Sequence, residues 1–200
     1  MISEQYEVEG VGLDLYTRAS LDPARDTGGI LLARALGFEV VFTPRLDCRA
    51  RLVVVPKPVI QLRAAIAPAG AEYDAAHEIP HWYFDKHACG DPRLERACDR
   101  VAVSIVAPAP AMFRMRAVFG YRIDLIAAAL GTSETIVALR WGEVFYDEPV
   151  AVITPRGIRR SGPEMGADDA TLRRIARAGG GEGVRVIRMR QGWMLIGATD

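Results

Sequence analysis

Hydrophobic residues recur at helical spacing early in the chain and then give way to extended runs. Ile30, Leu31, Ala33 and Leu36 form one apolar face of a predicted helix at residues 25–36, which Gly37 ends. Three apolar runs follow and are predicted as β-strands, at residues 38–42, 51–55 and 59–66. Prolines separate the last two runs, and proline cannot donate to a strand ladder, so an edge or a hairpin is favoured there.

The middle of the chain has mostly helical periodicity. A helix is predicted to begin near residue 71 and to run through the segment HEIPHWYFDKHA, before Gly90 and Pro92 break it. Three more helices are predicted at residues 93–106, 123–130 and 133–141. This order of short strands followed by helices is typical of an α+β fold.

The pattern changes again after residue 143. Two hairpins are predicted, at residues 150–160 and 184–196, with a short helix at 168–178 and a glycine tract between them. We therefore predict two domains, residues 1–143 and a small α+β appendage at residues 144–200.

Composition indicates a globular protein with one ordinary core, since half of the 200 residues are hydrophobic. Acidic and basic residues balance at 25 each, so no overall field attracts nucleic acid or a membrane, and both are disfavoured as partners. No apolar run is long enough to span a bilayer, and the acidic start MISEQYEVEG is no signal peptide, which predicts a cytoplasmic location. Three cysteines without a CxxC pair argue against a disulfide framework.

The segment HEIPH carries the strongest chemical signal. Residues four apart on a helix share one face, so His77 and His81 can direct two imidazoles at one metal ion. Glu78 directly follows His77 on the predicted helix, where it can act as general base toward a metal-bound water. The uncharged neighbours Ala75, Ala76 and Ile79 are typical of a buried active-site helix. Pro80 opposes this prediction, because an interior proline removes a helical hydrogen bond and favours a kink.

A catalytic zinc site also needs a third protein ligand and an open position. Glu95, at the start of the next helix, is one candidate. His87 is another, at the spacing of HExxHxxGxxH enzymes, but Phe84 occupies the position where that pattern needs glycine, so Glu95 is favoured. Asp99, one turn after Glu95, can accept a hydrogen bond from a ligating imidazole.

Four segments together resemble the ImmA/IrrE-type metallopeptidases: LDPARDTGGILLARALGFEVVF, DAAHEIPHWYF, ERACDRVAVSIVAPAPAMF and DLIAAALGTSETIVALRWGEV. The resemblance covers about residues 10–145 and departs from the family at Pro80, Val101 and Ala107. It implies a zincin-like, mostly helical metallopeptidase core with a small β-sheet, and a Zn²⁺ site, or a Mn²⁺ site, with Glu95 as third ligand and Asp99 at the family's Asn/Asp position. It further implies an intracellular endopeptidase whose protein substrate is a helix-turn-helix repressor in a stress or prophage response.

A different class of function competes with this prediction. The segment at residues 123–140 has the spacing of a helix-turn-helix, with Ala127, Gly131 and Val137 at its key positions. The chain could then be a DNA-binding or sensor module that does not cleave peptides. A recognition helix should offer Arg, Lys, Asn or Gln to base edges, whereas this one offers Ser, Glu and Thr before Arg140. Arg173, Arg174 and Arg177 in the predicted C-terminal helix are more typical of a solvated face than of a nucleic-acid site.

Overall fold

The computed structural model describes residues 2–54, 56–84, 91–163 and 165–197, with side chains from residue 8 onward. These residues form an α+β fold. They contain eight helices and seven strands: α1 Ile2–Arg18, α2 Gly29–Ala35, β1 Glu39–Thr43, β2 Ala50–Val53, β3 Val59–Arg63, α3 Pro68–Tyr83, α4 Pro92–Val106, α5 Ala109–Phe119, α6 Ile123–Leu130, α7 Glu134–Val144, β4 Val150–Thr154, β5 Gly157–Ser161, α8 Asp169–Ala178, β6 Val184–Met189 and β7 Gly192–Gly197.

The chain divides into two compact units at a different place from the predicted domain boundary. The first unit is Met1–Arg114 with Leu130–Thr132, and the second is Met115–Ala129 with Ser133–Asp200. Helix α7, which the sequence assigned to the N-terminal domain, belongs to the second unit because it packs against β4 and β5.

Among the described helices, no single one is long and apolar enough to cross a membrane. Helices α4 and α5 reach that length and apolarity only when they are counted together, and a bend of 45° separates them.

The first unit contains a three-stranded sheet in the order β1-β3-β2. β1 runs parallel to β3, with Glu39 opposite Val59, and β2 pairs antiparallel to β3, with Val53 opposite Val59. The prolines 56 and 58 lie in the connection between β2 and β3, so these strands form the hairpin that the sequence predicts. β2 is an edge strand, and α3 packs against β2 and β3.

Two helices of the structure are missing from the sequence prediction. The two glycines of α1, Gly10 and Gly12, and the prolines beside the start of α5 weaken the local helical signal. Tertiary packing overrides this weakness in α1: it packs along α4, where the buried Tyr16 hydroxyl donates to the Ile105 carbonyl at 2.8 Å. Helix α2 is also shorter than predicted, since residues 22–26 form a turn closed by the Asp22 carbonyl.

Helix α2 approaches α3 closely at Gly29. A Cβ atom at this position would overlap the carbonyl oxygen of Glu72 and the backbone nitrogen of Ala76. The Glu72 carboxylate accepts a hydrogen bond from the Ile30 N–H at 2.9 Å, which satisfies one of the N–H groups at the start of α2. Gly29 therefore allows two helices to meet at backbone distance.

The second unit is built on the antiparallel sheet β5-β4-β7-β6. Helix α8 covers one face of this sheet, where Leu172 and Ala176 pack with Ala151, Ile153 and Leu195. A polar cluster in the same unit centres on Glu148. Its carboxylate accepts hydrogen bonds from the Trp141 indole at 2.7 Å and from the Arg116 guanidinium.

Gly29→Ala should destabilise the first unit. The new methyl group meets backbone atoms of α3, which cannot move as a side chain can, and overpacking of this kind costs about 1–3 kcal/mol. The expected fall in the thermal midpoint is about 2–4 °C for each kcal/mol, measured by circular dichroism. Gly10→Ala is the matched control, because nothing lies within 4 Å of the added Cβ and alanine favours the helix. Equal midpoints for the two variants would contradict the close approach.

Candidate metal centre

Helix α3 of the first unit carries both histidines of HEIPH. It begins at Pro68, three residues earlier than predicted, because proline suits the first helical turn and Ala71, Ala75 and Ala76 bury a small apolar face. The helix continues through Pro80 and ends at Tyr83, where the Phe84 N–H donates to the Pro80 carbonyl at 2.9 Å. The predicted continuation of this helix to residue 88 lies outside the described residues.

Helix α4 presents two carboxylates toward α3. Asp91 caps its start by accepting a hydrogen bond from the Arg93 N–H at 2.8 Å. Cys98, Val101, Ala102 and Ile105 then bury the apolar face of the helix. This orientation places Glu95 and Asp99, which are one turn apart, on the side that faces the histidines.

His77, His81 and Glu95 come together in a single cluster. The Nε2 atom of His77 lies 3.2 Å from one carboxylate oxygen of Glu95 and 3.4 Å from Nε2 of His81. The second Glu95 oxygen lies 3.8 Å from Nε2 of His81. One ligand atom from each residue lies within 4.8 Å of the others, so the three could hold a metal ion.

These separations fit a tetrahedral zinc site. Zinc lies about 2.0–2.1 Å from nitrogen and oxygen ligands, so neighbouring tetrahedral ligand atoms are about 3.3 Å apart. The two Nε2 atoms lie 3.4 Å apart, close to this value, and they lie 3.2 and 3.8 Å from different oxygens of the Glu95 carboxylate. Two imidazoles and one carboxylate also leave one coordination position for another ligand.

Asp99 holds the far side of the His77 ring. Its Oδ1 atom lies 3.1 Å from Nδ1 of His77, which leaves Nε2 directed at the cluster. The same oxygen accepts a hydrogen bond from the Tyr73 hydroxyl at 2.7 Å. Tyr73, His77 and His81 form a row at four-residue spacing on α3, and Glu95 and Asp99 form the facing row on α4. The sequence pointed to Asp99 but missed Tyr73, although its position four residues before His77 was a usable signal.

Glu78 lies beside the cluster and lines the clefts next to it. Burial raises the pKa of its carboxyl, while the nearby His77 ring and the Leu52 N–H act in the opposite direction. Glu78 lines both clefts with His77, and its role as general base stays a prediction. His87, the alternative third ligand, lies outside the described residues.

Two clefts, of about 390 and 410 Å³, open at the cluster and share His77, Glu78 and Ala50. The first is lined further by Arg49, whose Nε donates to the buried carboxylate of Asp74 at 3.0 Å. Burial raises the pKa of Asp74, and the Arg49 charge lowers it. The second cleft is lined by β2 and by Cys48, whose thiol donates to the Ala50 carbonyl. Both openings therefore reach His77.

The segment with helix-turn-helix spacing does fold as two helices, α6 and α7. Ser133 caps α7 by accepting the Ile136 N–H at 3.2 Å. However, no residue between 134 and 145 is fully exposed, and Val137, Ala138 and Trp141 are buried. Arg140, the one basic side chain of the helix, is only 4% exposed and donates to Glu143 at 2.9 Å. Helix α7 therefore lacks the open polar face with which a recognition helix contacts bases.

Comparisons with known proteins identify a similar fold. No protein-family model and no curated protein matches the chain, so its resemblance to ImmA/IrrE-type metallopeptidases stays a prediction. The solved structure of a Mycobacterium tuberculosis transcriptional regulator is similar over 96% of this chain and 87% of that chain. The TM-score is 0.64 and the sequence identity is 13%, a likeness that shows a shared fold.

The predicted function is wrong on this comparison. The sequence favoured a zinc-dependent endopeptidase that cleaves a repressor, whereas the fold of nearly the whole chain is shared with a protein described as a transcriptional regulator. The physical reason for the error is that HExxH spacing predicts where metal ligands lie, but the same ligands serve binding and hydrolytic sites alike.

Pro80→Ala should stabilise α3. The new N–H can donate to the Ala76 carbonyl, and an interior proline costs about 3 kcal/mol relative to alanine. Loss of the buried ring offsets roughly 1 kcal/mol of this gain, so the thermal midpoint of the metal-free protein should rise. Pro68→Ala is the control and should change the midpoint little, because the N–H of residue 68 has no partner inside the helix. A fall in the midpoint for Pro80→Ala would mean that packing of the ring outweighs the missing hydrogen bond.

Proposed function

We propose that the chain is a metal-binding sensor module of a transcriptional regulator, with His77, His81 and Glu95 as the ligands of one Zn²⁺ or Mn²⁺ ion. The observation that carries this proposal is the convergence of these three ligand atoms within 4.8 Å. The regulatory part of the proposal is supported by the fold shared with a transcriptional regulator. We also propose that α3 and the sheet β1-β3-β2 form a zincin-like core around this ion.

The ligand set favours a transition metal over Mg²⁺ or Ca²⁺. Imidazole nitrogens suit zinc and its neighbours, whereas the two alkaline-earth ions prefer a shell of oxygens. The site is also partly shielded from water, since the side chains of His81 and His77 are only 8% and 19% exposed. When bound, the ion would supply a positive charge and an open coordination position at the clefts.

A metal at this site would join two helices that otherwise meet through packing and through hydrogen bonds such as that from Tyr73 to Asp99. His77 and His81 are on α3, and Glu95 is in the first turn of α4. Any ligand that binds only the folded state stabilises that state by mass action. Metal occupancy would therefore fix the start of α4 against α3, which is the structural change that a sensor can transmit.

Asp99 and Tyr73 act as positioning residues in this proposal. Metal-ligating histidines usually donate their second ring N–H to a carboxylate, which fixes the ring and raises the basicity of the ligand atom. Asp99 occupies that place for His77, and the Tyr73 hydroxyl fixes Asp99 in turn. Tyr73 therefore influences the metal through two successive hydrogen bonds without touching it.

The purified chain should bind about one equivalent of Zn²⁺, measured by elemental analysis after removal of excess metal. His77→Ala/His81→Ala should abolish this binding, and Glu95→Gln should weaken it, because each substitution removes ligand atoms from the cluster. Zinc should also raise the thermal midpoint of the wild type and slow hydrogen exchange at the start of α4, with α8 as the internal reference.

His87→Ala provides the discriminating control. We expect the zinc content to be unchanged in His87→Ala and to fall in Glu95→Gln. The opposite result would replace Glu95 with His87 as third ligand, and equal zinc in the wild type and the double-histidine variant would reject the site. Zinc-dependent peptide-bond cleavage of a partner regulator by the wild type would overturn the sensor function in favour of hydrolysis.

Asp99→Ala should weaken zinc affinity by about 10–100-fold, the usual cost of losing a carboxylate partner of a metal-bound histidine. Tyr73→Phe should cost less, roughly 3–10-fold, because it acts through Asp99. The affinities are measured by competition with a chromophoric chelator. In the Asp99→Ala background, Tyr73→Phe should have no further effect, since the group that it positions is gone.

Tyr83→Phe is the matched hydroxyl deletion on the same helix. The Tyr83 hydroxyl donates to Asp14 at 2.9 Å, outside the cluster, so zinc affinity should be unchanged. Additive effects of Tyr73→Phe and Asp99→Ala would assign Tyr73 a general structural role instead of a positioning role.

A further inference from the structure

The balanced charge of the whole chain conceals a strong local excess. Residues 150–197, which form the sheet β5-β4-β7-β6 and α8, contain nine arginines, no lysine and four acidic residues. Their net charge is +5, and the rest of the chain carries sixteen basic and twenty-one acidic residues. A chain with such an asymmetry can bind a polyanion at one segment although its net charge is zero.

Helix α8 gathers three of these arginines on one side. Arg173, Arg174 and Arg177 lie within about 100° of one another around the helix axis. The opposite side is apolar and buried, with Leu172 at 0% and Ala176 at 4% exposure. We call the outward side, defined by these three arginines, the arginine face of α8.

Acidic residues neutralise only part of this face. Asp168 caps α8 by accepting the Thr171 N–H and also interacts electrostatically with Arg174, while Asp169 pairs with Arg160 of β5. Within the part of the chain that the structure describes, Arg173 and Arg177 form no ion pair. Two like charges four residues apart destabilise a helix slightly, so an ordinary solvated face would mix both signs.

The strand beside α8 extends the positive charge. α8 packs on β6 and β7, and Val184 and Val186 of β6 face the same apolar cluster as the helix. Side chains alternate along a strand, so Arg188 is on the α8 side of the sheet. Arg190 follows in the turn and is exposed. Because arginines on an edge strand such as β6 also serve to block pairing with other chains, they are weaker evidence for a binding site. The face is therefore defined by the arginines of α8 alone.

We propose that the arginine face of α8 binds the phosphate backbone of duplex DNA, an inference that rests on the regulatory part of the proposed function and not on the metal site. The guanidinium fork matches phosphate geometry, and three such contacts release counterions from DNA. Helix α7 does not offer such a face, since none of its side chains is fully exposed and its one arginine is buried. The proposed contact is made to phosphates, so it positions the protein on the duplex and does not depend on the base sequence.

Two other polyanions fit the structure less well. A helix that binds a membrane surface inserts an exposed apolar face between lipids. The apolar face of α8 is instead covered by the sheet of its own unit. An acidic protein partner would usually supply a packed apolar contact at the centre of the interface, and the arginine face has only Ala170 and Ala178 exposed beside it.

The test is fluorescence anisotropy with a labelled 30-base-pair duplex, over a series of salt concentrations, with the full-length chain. Arg173→Gln/Arg174→Gln/Arg177→Gln should weaken binding at least tenfold at low salt. The slope of log affinity against log salt should fall by about 2–3, close to one for each phosphate contact. Arg25→Gln/Arg34→Gln/Arg45→Gln removes the same charge from exposed positions of the first unit and should leave the slope near the wild-type value.

Three results would overturn the proposal: equal binding by the α8 variant and the wild type, an equal loss in the control variant, and binding to anionic phospholipid vesicles without binding to the duplex. Zinc titration of the α8 variant separates this proposal from the metal site. Normal zinc content with lost DNA binding supports the α8 face and shows that the first unit is folded, and an unchanged circular dichroism melting curve shows the same for the second unit. DNA binding by a wild type that takes up no zinc would reject the metal site and retain the α8 face.

Discussion

The packing of α3 against α4 is the constraint on which the candidate site depends. Each helix brings a row of polar residues at four-residue spacing to the contact, and the rows interlock so that Glu95 lies between His81 and His77, and Asp99 between His77 and Tyr73. The apolar faces of both helices fix this register, since Ala75, Ile79, Cys98 and Ala102 are fully buried around it. A small rotation of either helix would separate the ligands, so the site exists only because the core beneath it is closely packed.

Local patterns in the sequence predict the parts of this arrangement that follow from spacing along one element. The four-residue interval of HEIPH places His77 and His81 on one side of α3, and Gly90 and Pro92 mark the break before α4. The missing glycine at position 84 and a family resemblance both favour Glu95 over His87 as the third metal ligand. The contact between Tyr73 and Asp99 could not be predicted in the same way, because it depends on how two helices pack and not on the sequence of either one.

The errors in the predicted fold have a common physical cause. Helix α1 and helix α5 have glycines or prolines that weaken their local signal, and burial against other elements compensates for this weakness. The predicted domain boundary at residue 143 and the compact units differ at α7, because the local pattern does not contain the packing of this helix against β4 and β5. Helix α7 looked like part of a helix-turn-helix by spacing, whereas Trp141 and Val137 hold it inside the second unit. Spacing predicted that a helix forms, but burial decided what the helix can contact.

Three metal ligands in one cluster imply metal binding, but they do not by themselves imply hydrolysis. Two imidazoles and a carboxylate bind a metal for geometric reasons, and hydrolysis needs in addition a base, a bound substrate and a way to stabilise the transition state. Burial raises the pKa of the Glu78 carboxyl, and a cation bound beside it would act in the opposite direction. Metal occupancy would thus change the charge of the cleft as well as the link between α3 and α4. In the proposed sensor, this difference between the bound and free states is the signal, and no cleavage step is needed.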